Sequence, residues 1–307
     1  MSTISNIVGL SSKCADSVSA NLGSFACPFQ FQLPDGVILV TRGYKIPAAT
    51  DVTSDFLLGK VQDGTFVPIL DAFNFEPIDE DDVLETSNTG VNTLARQGLS
   101  SLKFTYKKGI NHQKALDKLL SYGVFDVMIV DKAGNLLGVD KSGDFGGYTA
   151  GMVLPKSKMW NDGSTAEGKS LEIQLTQPGE RINTTWIEAG NLPIFLPTEL
   201  DGKNEVLITF ADANGPVVPA ALDTSLLIKV TANDGVTPVT GLATGDIRSV
   251  AKAISAVTDD GNGFYTLTIA ALAAETLDVQ IYDVANSQTS VIVNGILFTG
   301  STSVVVA

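Results

Sequence analysis

The sequence predicts a mainly β protein with two domains. The chain has 307 residues, which is long for a single hydrophobic core. Its second half consists of short β-favouring runs separated by turn signals, a rhythm typical of a β-sandwich. Its first half contains further strand-like runs and one clear amphipathic helix, so we expect strands with a single flanking helix there.

The composition argues against a protein that binds nucleic acid. The formal net charge is −14 at pH 7, and only 20 residues are Lys or Arg. Nucleic-acid-binding proteins place Lys and Arg on the phosphates, whereas an acidic surface repels them. Such a surface suits a conduit for DNA better than a DNA-binding site. With 44% hydrophobic and 18% charged residues, the chain is expected to be globular.

The sequence shows no secretory signal and no membrane span. The Ser-rich stretch 1–21 lacks the basic start and apolar run of a signal peptide. No stretch approaches the roughly 20 apolar residues that a spanning helix needs. Cys14 and Cys27 are the only cysteines, and they form no C-x-x-C pair for zinc. We therefore expect free, buried thiols in a reducing compartment and no membrane partner.

The first domain is predicted over residues 1–190 and starts with a turn and a buried strand. The turn signal Pro-Asp-Gly at 34–36 precedes the apolar run 37–40. An acidic segment at 75–98 shows little periodicity, and we expect it to be irregular. A strand is predicted at 102–106.

The clearest helix is predicted over Asn111–Tyr122. Asn111 is a favourable N-terminal cap, and Gly123 lies where a left-handed residue commonly ends a helix. Four apolar residues are expected on one face of this helix: Ala115, Leu116, Leu119 and Leu120.

A β-hairpin is predicted after the helix. Its arms at 124–130 and 136–139 flank the turn sequence DKAGN. The glycine-rich stretch 142–151 lacks the spacing of a phosphate-binding loop, so we expect a mobile loop that orders on assembly. The domain is expected to close with a half-buried strand, a Pro-Gly turn and a strand that pairs back, at 171–175, 178–179 and 182–187.

A linker is predicted at 191–203, because this stretch is rich in Gly and Pro. The second domain is predicted over 204–307. Its six expected strands lie at 206–210, 226–231, 264–269, 277–282, 291–298 and 303–306.

The second domain resembles the immunoglobulin-like domains of bacteria and phages. The resemblance is carried by LIKVT at 227–231, PVTGL at 238–242 and GNGFYTL at 261–267. It covers about the last hundred residues and implies a fold rather than a ligand. The chain has no Cys-Trp-Cys core of the antibody type.

Residues 20–187 resemble the tail tube proteins of tailed phages, particularly phages that infect Bacteroidetes. The resemblance rests on Cys27-Pro28, Glu85-Thr86, Gly90, Gly98, the helix, and VMIVDKAGNLLG at 127–138. It implies a β-sandwich or small barrel with a flanking helix and a long loop or hairpin for subunit contact. In that family, rings of subunits stack into a tube that passes DNA. An outward-facing C-terminal immunoglobulin-like domain is a known addition there.

The acidic segment supplies the candidate site residues. Three interpretations remain open: a solvated acidic loop, a segment that contacts another subunit or faces a lumen, and a calcium site. Calcium loops follow D-x-D-x-D-G, which is absent, and Pro77 interrupts the run. A lumen-facing segment would keep DNA from adhering to the wall. The candidate residues are Glu76, Asp79, Glu80, Asp81, Asp82 and Glu85.

No catalytic or cofactor motif is recognisable, so we expect a non-enzymatic protein without cofactor or metal. His112 is the only histidine, and we expect a surface or capping role for it. Trp160 and Trp186 fit either a sugar-stacking pair or ordinary core and interface positions. No G-x-S-x-G nucleophile motif is present.

These observations and resemblances predict a structural virion protein. The chain is expected to be a subunit of a phage tail tube, assembled in the host cytoplasm into rings and located in the tail. Its expected partners are copies of itself and other tail or head proteins, with DNA passing through unbound. The alternatives are a capsid decoration or head protein, and an adhesin that binds the host surface.

Overall fold

A computed structural model describes residues 31–48, 50, 52–86, 92–164, 166–187, 200, 202–212 and 215–306. Both cysteines and almost all of the predicted linker 191–203 lie outside these residues. The described residues form several β-sheets and two α-helices, which confirms the mainly β fold. Within that part of the chain, neither α-helix has the length and hydropathy that a membrane span requires.

The chain divides into two compact units. The first comprises Met1–Leu57 and Thr65–Leu200, and the second comprises Leu58–Gly64 and Asp201–Ala307. The second unit therefore includes a short segment from early in the sequence, in which the Gln62 amide donates a hydrogen bond to Ser290 O at 2.8 Å. The domain boundaries at 190 and 204 stay a prediction.

The first unit is built on one branched sheet. Its strands are β1 Pro34–Thr41, β2 Lys45–Ile46, β3 Phe66–Ile69, β4 Asn74–Asp79, β5 Val83–Thr86, β6 Asn92–Arg96, β7 Ser100–Tyr106, β8 Ser121–Tyr122, β9 Phe125–Asp131, β10 Leu136–Lys141, β11 Asp144–Gly146, β12 Tyr148–Met159, β13 Gly168–Leu175 and β14 Thr184–Ile187. The main strand order is β2-β11-β10-β9-β12-β13-β7-β4. Strands β1, β3, β8 and β14 branch from it, while β5 and β6 form a separate hairpin.

The two halves of this branched sheet share one core. β12 joins them, because its first residues pair with β9 and the rest pairs with β13. Val37 and Val127 from one half belong to the same buried cluster as Phe104 and Ile173 from the other. The alternating burial along β7 follows directly from one face being packed on this core.

The predicted helix is shorter than expected, and a second helix was missed. The helices are α1 Ser54–Gln62 and α2 Ile110–Asp117. Gly109, not Asn111, occupies the N-cap of α2, so the predicted cap was wrong. The helix ends before β8, which occupies the last two residues of the predicted span. The overlooked signal for α1 is Thr53, whose Oγ1 accepts a hydrogen bond from Phe56 N at 3.2 Å.

The glycine-rich stretch 142–151 was wrongly predicted to be a mobile loop. Most of it belongs to β11 and β12, and Phe145 to Tyr148 are buried. A Cβ at Gly147 would lie 2.7 Å from Val127 N, so the backbones pass too closely for any side chain. The glycines here allow tight strand packing instead of motion.

Residues 182–187 do not pair back with the preceding strand. A 3-10 helix at Pro178–Asn183 intervenes, and β14 pairs with β10, with Trp186 opposite Leu137. The predicted hairpin at 124–139 is confirmed by β9 and β10. Asp131 holds its turn: the buried carboxylate accepts hydrogen bonds from Asn135 N and Asn135 Nδ2, both at 2.8 Å.

The second unit contains two sheets around one core. Its strands are β15 Asn204–Asp212, β16 Gly215–Pro216, β17 Ser225–Ala232, β18 Ile247–Arg248, β19 Ile254–Gly261, β20 Phe264–Ile269, β21 Thr276–Ile281, β22 Val291–Val293, β23 Ile296–Thr299 and β24 Ser301–Val305. The larger sheet has the order β19-β20-β17-β15-β23-β22, and the smaller one is β18-β21-β24. Ile228 of the first and Val279 of the second lie in the same buried cluster. The immunoglobulin-like character of this unit stays a prediction.

Two of the sequence motifs of this unit meet at one buried side chain. The Tyr265 hydroxyl donates a hydrogen bond to Val239 O at 2.9 Å and accepts one from Leu242 N at 3.3 Å. Burial raises the pKa of Tyr265 to about 12. The tyrosine of GNGFYTL therefore fixes the PVTGL segment against the sheet. The predicted strand 291–298 is instead the hairpin β22–β23, with positive φ at Asn294 and Gly295.

Candidate assembly surface

The six candidate acidic residues lie on an edge strand and on a projecting hairpin of the first unit. Glu76 and Asp79 belong to β4, Glu85 belongs to β5, and the other three connect these strands. The prediction of an irregular segment was therefore wrong. It failed because β4 is stabilised by pairing with β7, a neighbour that becomes apparent only in the fold.

β4 is anchored on one side and lacks a strand on the other among the described residues. The Phe75 ring packs against the core residue Phe104, with 5.0 Å between ring centroids. Pro77 has no backbone N–H to donate, and proline within sheets is confined to such edge positions. The proline therefore disfavours continuous strand addition to β4.

Three of the six carboxylates are in ion pairs. Glu76 contacts Lys103 at 2.8 Å, Asp79 contacts Arg181 at 3.3 Å, and Glu80 contacts Arg96 at 3.5 Å. The local negative charge is therefore lower than the sequence suggests. Asp81, Asp82 and Glu85 carry the negative charge that remains on the connection and hairpin.

The base of the hairpin is held by backbone contacts. The Asp82 carboxylate accepts a hydrogen bond from Gly98 N at 2.7 Å, and Glu80 N donates to Leu99 O at 2.9 Å. A side chain at Gly98 would collide with the Glu80 carbonyl. These contacts fix where the hairpin leaves the sheet, although its own strands have no core beneath them.

The β5–β6 hairpin exposes an apolar pair. Leu84 lies directly opposite Leu94, and these side chains are 56% and 52% exposed. Every described residue from Glu76 to Gln97 is exposed. A two-stranded hairpin alone is only marginally stable in water, and exposure of a pair of leucines to water is unfavourable. The hairpin is therefore suited to being covered by a partner.

A ladder of alternating charges crosses the outer face of the neighbouring strands. Lys103 lies opposite both Glu76 and Glu172, and Lys156 contacts Glu172 at 2.7 Å. Sequence reasoning missed this ladder, because its members come from β4, β7, β13 and β12. It leaves this face polar and close to neutral.

The other residues singled out in the sequence, His112, Trp160 and Trp186, lie in different surroundings. His112 packs against the Tyr106 ring at 5.5 Å between centroids, rather than on the open surface or at a cap. Trp186 is buried, whereas Trp160 is 75% exposed, so the two do not share one stacking surface. Within the described ranges, no group of three or more His, Cys, Asp or Glu residues is placed to hold a metal ion.

A cluster of charged side chains in this unit surrounds the buried carboxylate of Asp126. Asp126 contacts Lys141 at 3.1 Å and Arg42 at 3.4 Å, and Lys141 contacts Glu180 at 3.6 Å. Glu180 also accepts a hydrogen bond from Thr149 N at 2.7 Å. These contacts tie five segments of the first unit together.

No protein-family model matches the sequence, and no curated protein is significantly similar to it.

Proposed function

We propose that the chain is a non-enzymatic structural protein of a phage virion. It forms stacked rings as a subunit of the tail tube and conducts DNA without binding it. Its second unit is an immunoglobulin-like domain that faces outward. Assembly takes place in the host cytoplasm, with copies of the same chain and with other tail or head proteins as partners.

The observation that carries the proposal is the exposed β5–β6 hairpin. Its Leu84–Leu94 pair lies on a structure that gains stability when a partner covers it. A projecting hairpin used for subunit contact is also what the resemblance to tail tube proteins implies. Acidic residues around it favour passage of DNA over retention.

An adhesin is less well supported. Glycan-binding loops usually present aromatic side chains, and the second unit has few of them. Tyr265 is fully buried, and Phe264, Tyr282 and Phe298 are partly buried. A capsid decoration or head protein remains the alternative within the structural class.

Electron microscopy of the concentrated protein tests the proposal. We expect hollow rings or tubes with knobs on the outside. We also expect mass spectrometry to find the chain in purified tails of the phage that encodes it. A chain found in heads would favour the decoration alternative, and a chain absent from particles would overturn the proposal.

A matched pair of variants tests the role of the hairpin. Leu84→Arg with Leu94→Arg should abolish rings and tubes, because two charges replace the apolar pair. Val250→Arg is the control: Val250 is 75% exposed but belongs to the second unit, so this variant should assemble normally. Equal assembly of both variants would exclude the hairpin as a contact.

A further inference from the structure

A second apolar patch lies around β8 in the first unit. Leu120, Tyr122 and Val124, here called the β8 patch, alternate along the chain and are 50%, 69% and 53% exposed. Single exposed apolar residues are common on protein surfaces. The three exposed apolar residues here lie in or beside β8, which pairs only with β12 among the described residues. Together they form a surface that another protein chain can cover.

The end of α2, which leads into the β8 patch, carries exposed lysines. Lys114 and Lys118 are exposed on and just after α2. Its one acidic residue, Asp117, is in an ion pair with Lys169 at 2.5 Å. The patch is therefore bordered by positive charge.

The β5–β6 hairpin is complementary to this patch in both respects. It presents the Leu84–Leu94 pair, and Asp81, Asp82 and Glu85 border it with negative charge. Apolar contact provides affinity, and opposite charges at the border favour encounter and orientation.

The strand β4, which leads into the hairpin, and the strand β8 lie at opposite edges of the same half of the sheet. The strand order there is β4-β7-β13-β12-β8, so four strand spacings, about 19 Å, separate β4 from β8. Two different surfaces on opposite edges favour a head-to-tail contact between copies. Repetition of such a contact closes a ring or extends a filament.

We infer that the β5–β6 hairpin of one copy docks on the β8 patch of the next copy. The inference rests on the proposed function and names the receiving surface for the hairpin. The occupant is a second copy because the same chain carries both the acidic apolar hairpin and the basic apolar patch.

A complementation experiment with the full chain tests this contact. Leu84→Arg with Leu94→Arg removes the hairpin surface, and Tyr122→Arg removes the patch. Neither variant alone should form rings or tubes. When the two variants are mixed, the intact hairpin of one variant can dock on the intact patch of the other. Light scattering should then find a complex of two 32.2 kDa chains. Normal assembly of Tyr122→Arg, or no complex in the mixture, would overturn the inference.

A charge swap provides a second test that leaves the apolar residues in place. Lys114→Glu with Lys118→Glu should weaken association at low salt by about tenfold or more. Adding Asp81→Lys and Glu85→Lys to the same chain should restore it. If the swap does not restore association, the proposed contact between the acidic border of the hairpin and the basic border of the β8 patch is contradicted.

The two proposals fail in different ways. If the wild-type chain forms tubes and Tyr122→Arg does so equally well, the docking inference fails and the proposed function stands. If the chain is absent from tails, the proposed function fails whatever the variants do.

Discussion

The compositions of the acidic segment and of the glycine-rich stretch both predict an irregular chain, yet both regions form strands, of which one is exposed and the other is packed. The glycine-rich residues 144–151 pack inside the sheet, whereas residues 76–97 are exposed wherever they are described. Glycine permits the close approach of backbones, and charge marks a strand that remains at the edge. Composition therefore indicates which neighbours a strand tolerates, rather than whether a strand forms.

The largest expected effect contrasts a buried carboxylate with an exposed one. Asp131→Ala should lower the free energy of unfolding of the first unit by about 3 kcal/mol, because it leaves buried donors such as Asn135 N unsatisfied. Asp81→Ala should change it by less than about 0.5 kcal/mol. Urea denaturation followed by tryptophan emission measures both, since Trp160 and Trp186 belong to the first unit. Equal losses of stability in the two variants would contradict the difference between the buried and the exposed carboxylate.

The next largest effect is expected where the backbones of Gly147 and Val127 approach each other closely. Gly147→Ala should cost about 2 kcal/mol of stability, because the added methyl meets the Val127 backbone. Gly179→Ala is the matched control in the same unit, since nothing lies within 4 Å of a Cβ there. If both substitutions are tolerated equally, residues 144–151 pack more loosely than described above.

A smaller effect concerns His112, which packs against β7, and the sign of its pH dependence is diagnostic. Burial against Tyr106 of β7, reinforced by Lys108, lowers the pKa of His112, while Asp71 opposes this shift. The unfolded chain therefore binds more protons as the pH falls through about 6.5, and the fold loses stability. His112→Gln should lose less stability than the wild type between pH 7 and pH 5. Identical slopes in urea denaturation at the two pH values would contradict this.

The smallest effect is expected on the charge ladder. Lys103→Ala should cost about 0.5 kcal/mol, because its contact with Glu76 is largely exposed. The difference from the wild type should shrink in 1 M salt, which screens exposed ion pairs. A loss of several kcal/mol in urea denaturation would show that the edge is held as firmly as the interior.

Local patterns predicted much of the fold, and long-range pairing accounts for most of what they missed. The strand 37–40 and the hairpin around Asp131 follow from apolar runs and turn residues close in sequence. β4 depends on pairing with β7. α2 ends at Asp117, and Ser121–Tyr122 of the predicted helix instead pair with β12 as β8, so neither boundary follows from its own segment. In the candidate site, the acidic residues were identifiable. Their partners were not, because Arg181 is 102 residues away from Asp79.

The exposed hairpin has a consequence for the lifetime of free subunits. Arg96 ends β6 on a segment whose described residues are open to solvent on both faces, and trypsin-like proteases cleave extended, accessible chains after arginine. A partner that covers the hairpin would protect that bond. Unassembled copies would then be degraded faster than assembled ones, so the surface that we propose for assembly would also select which copies persist.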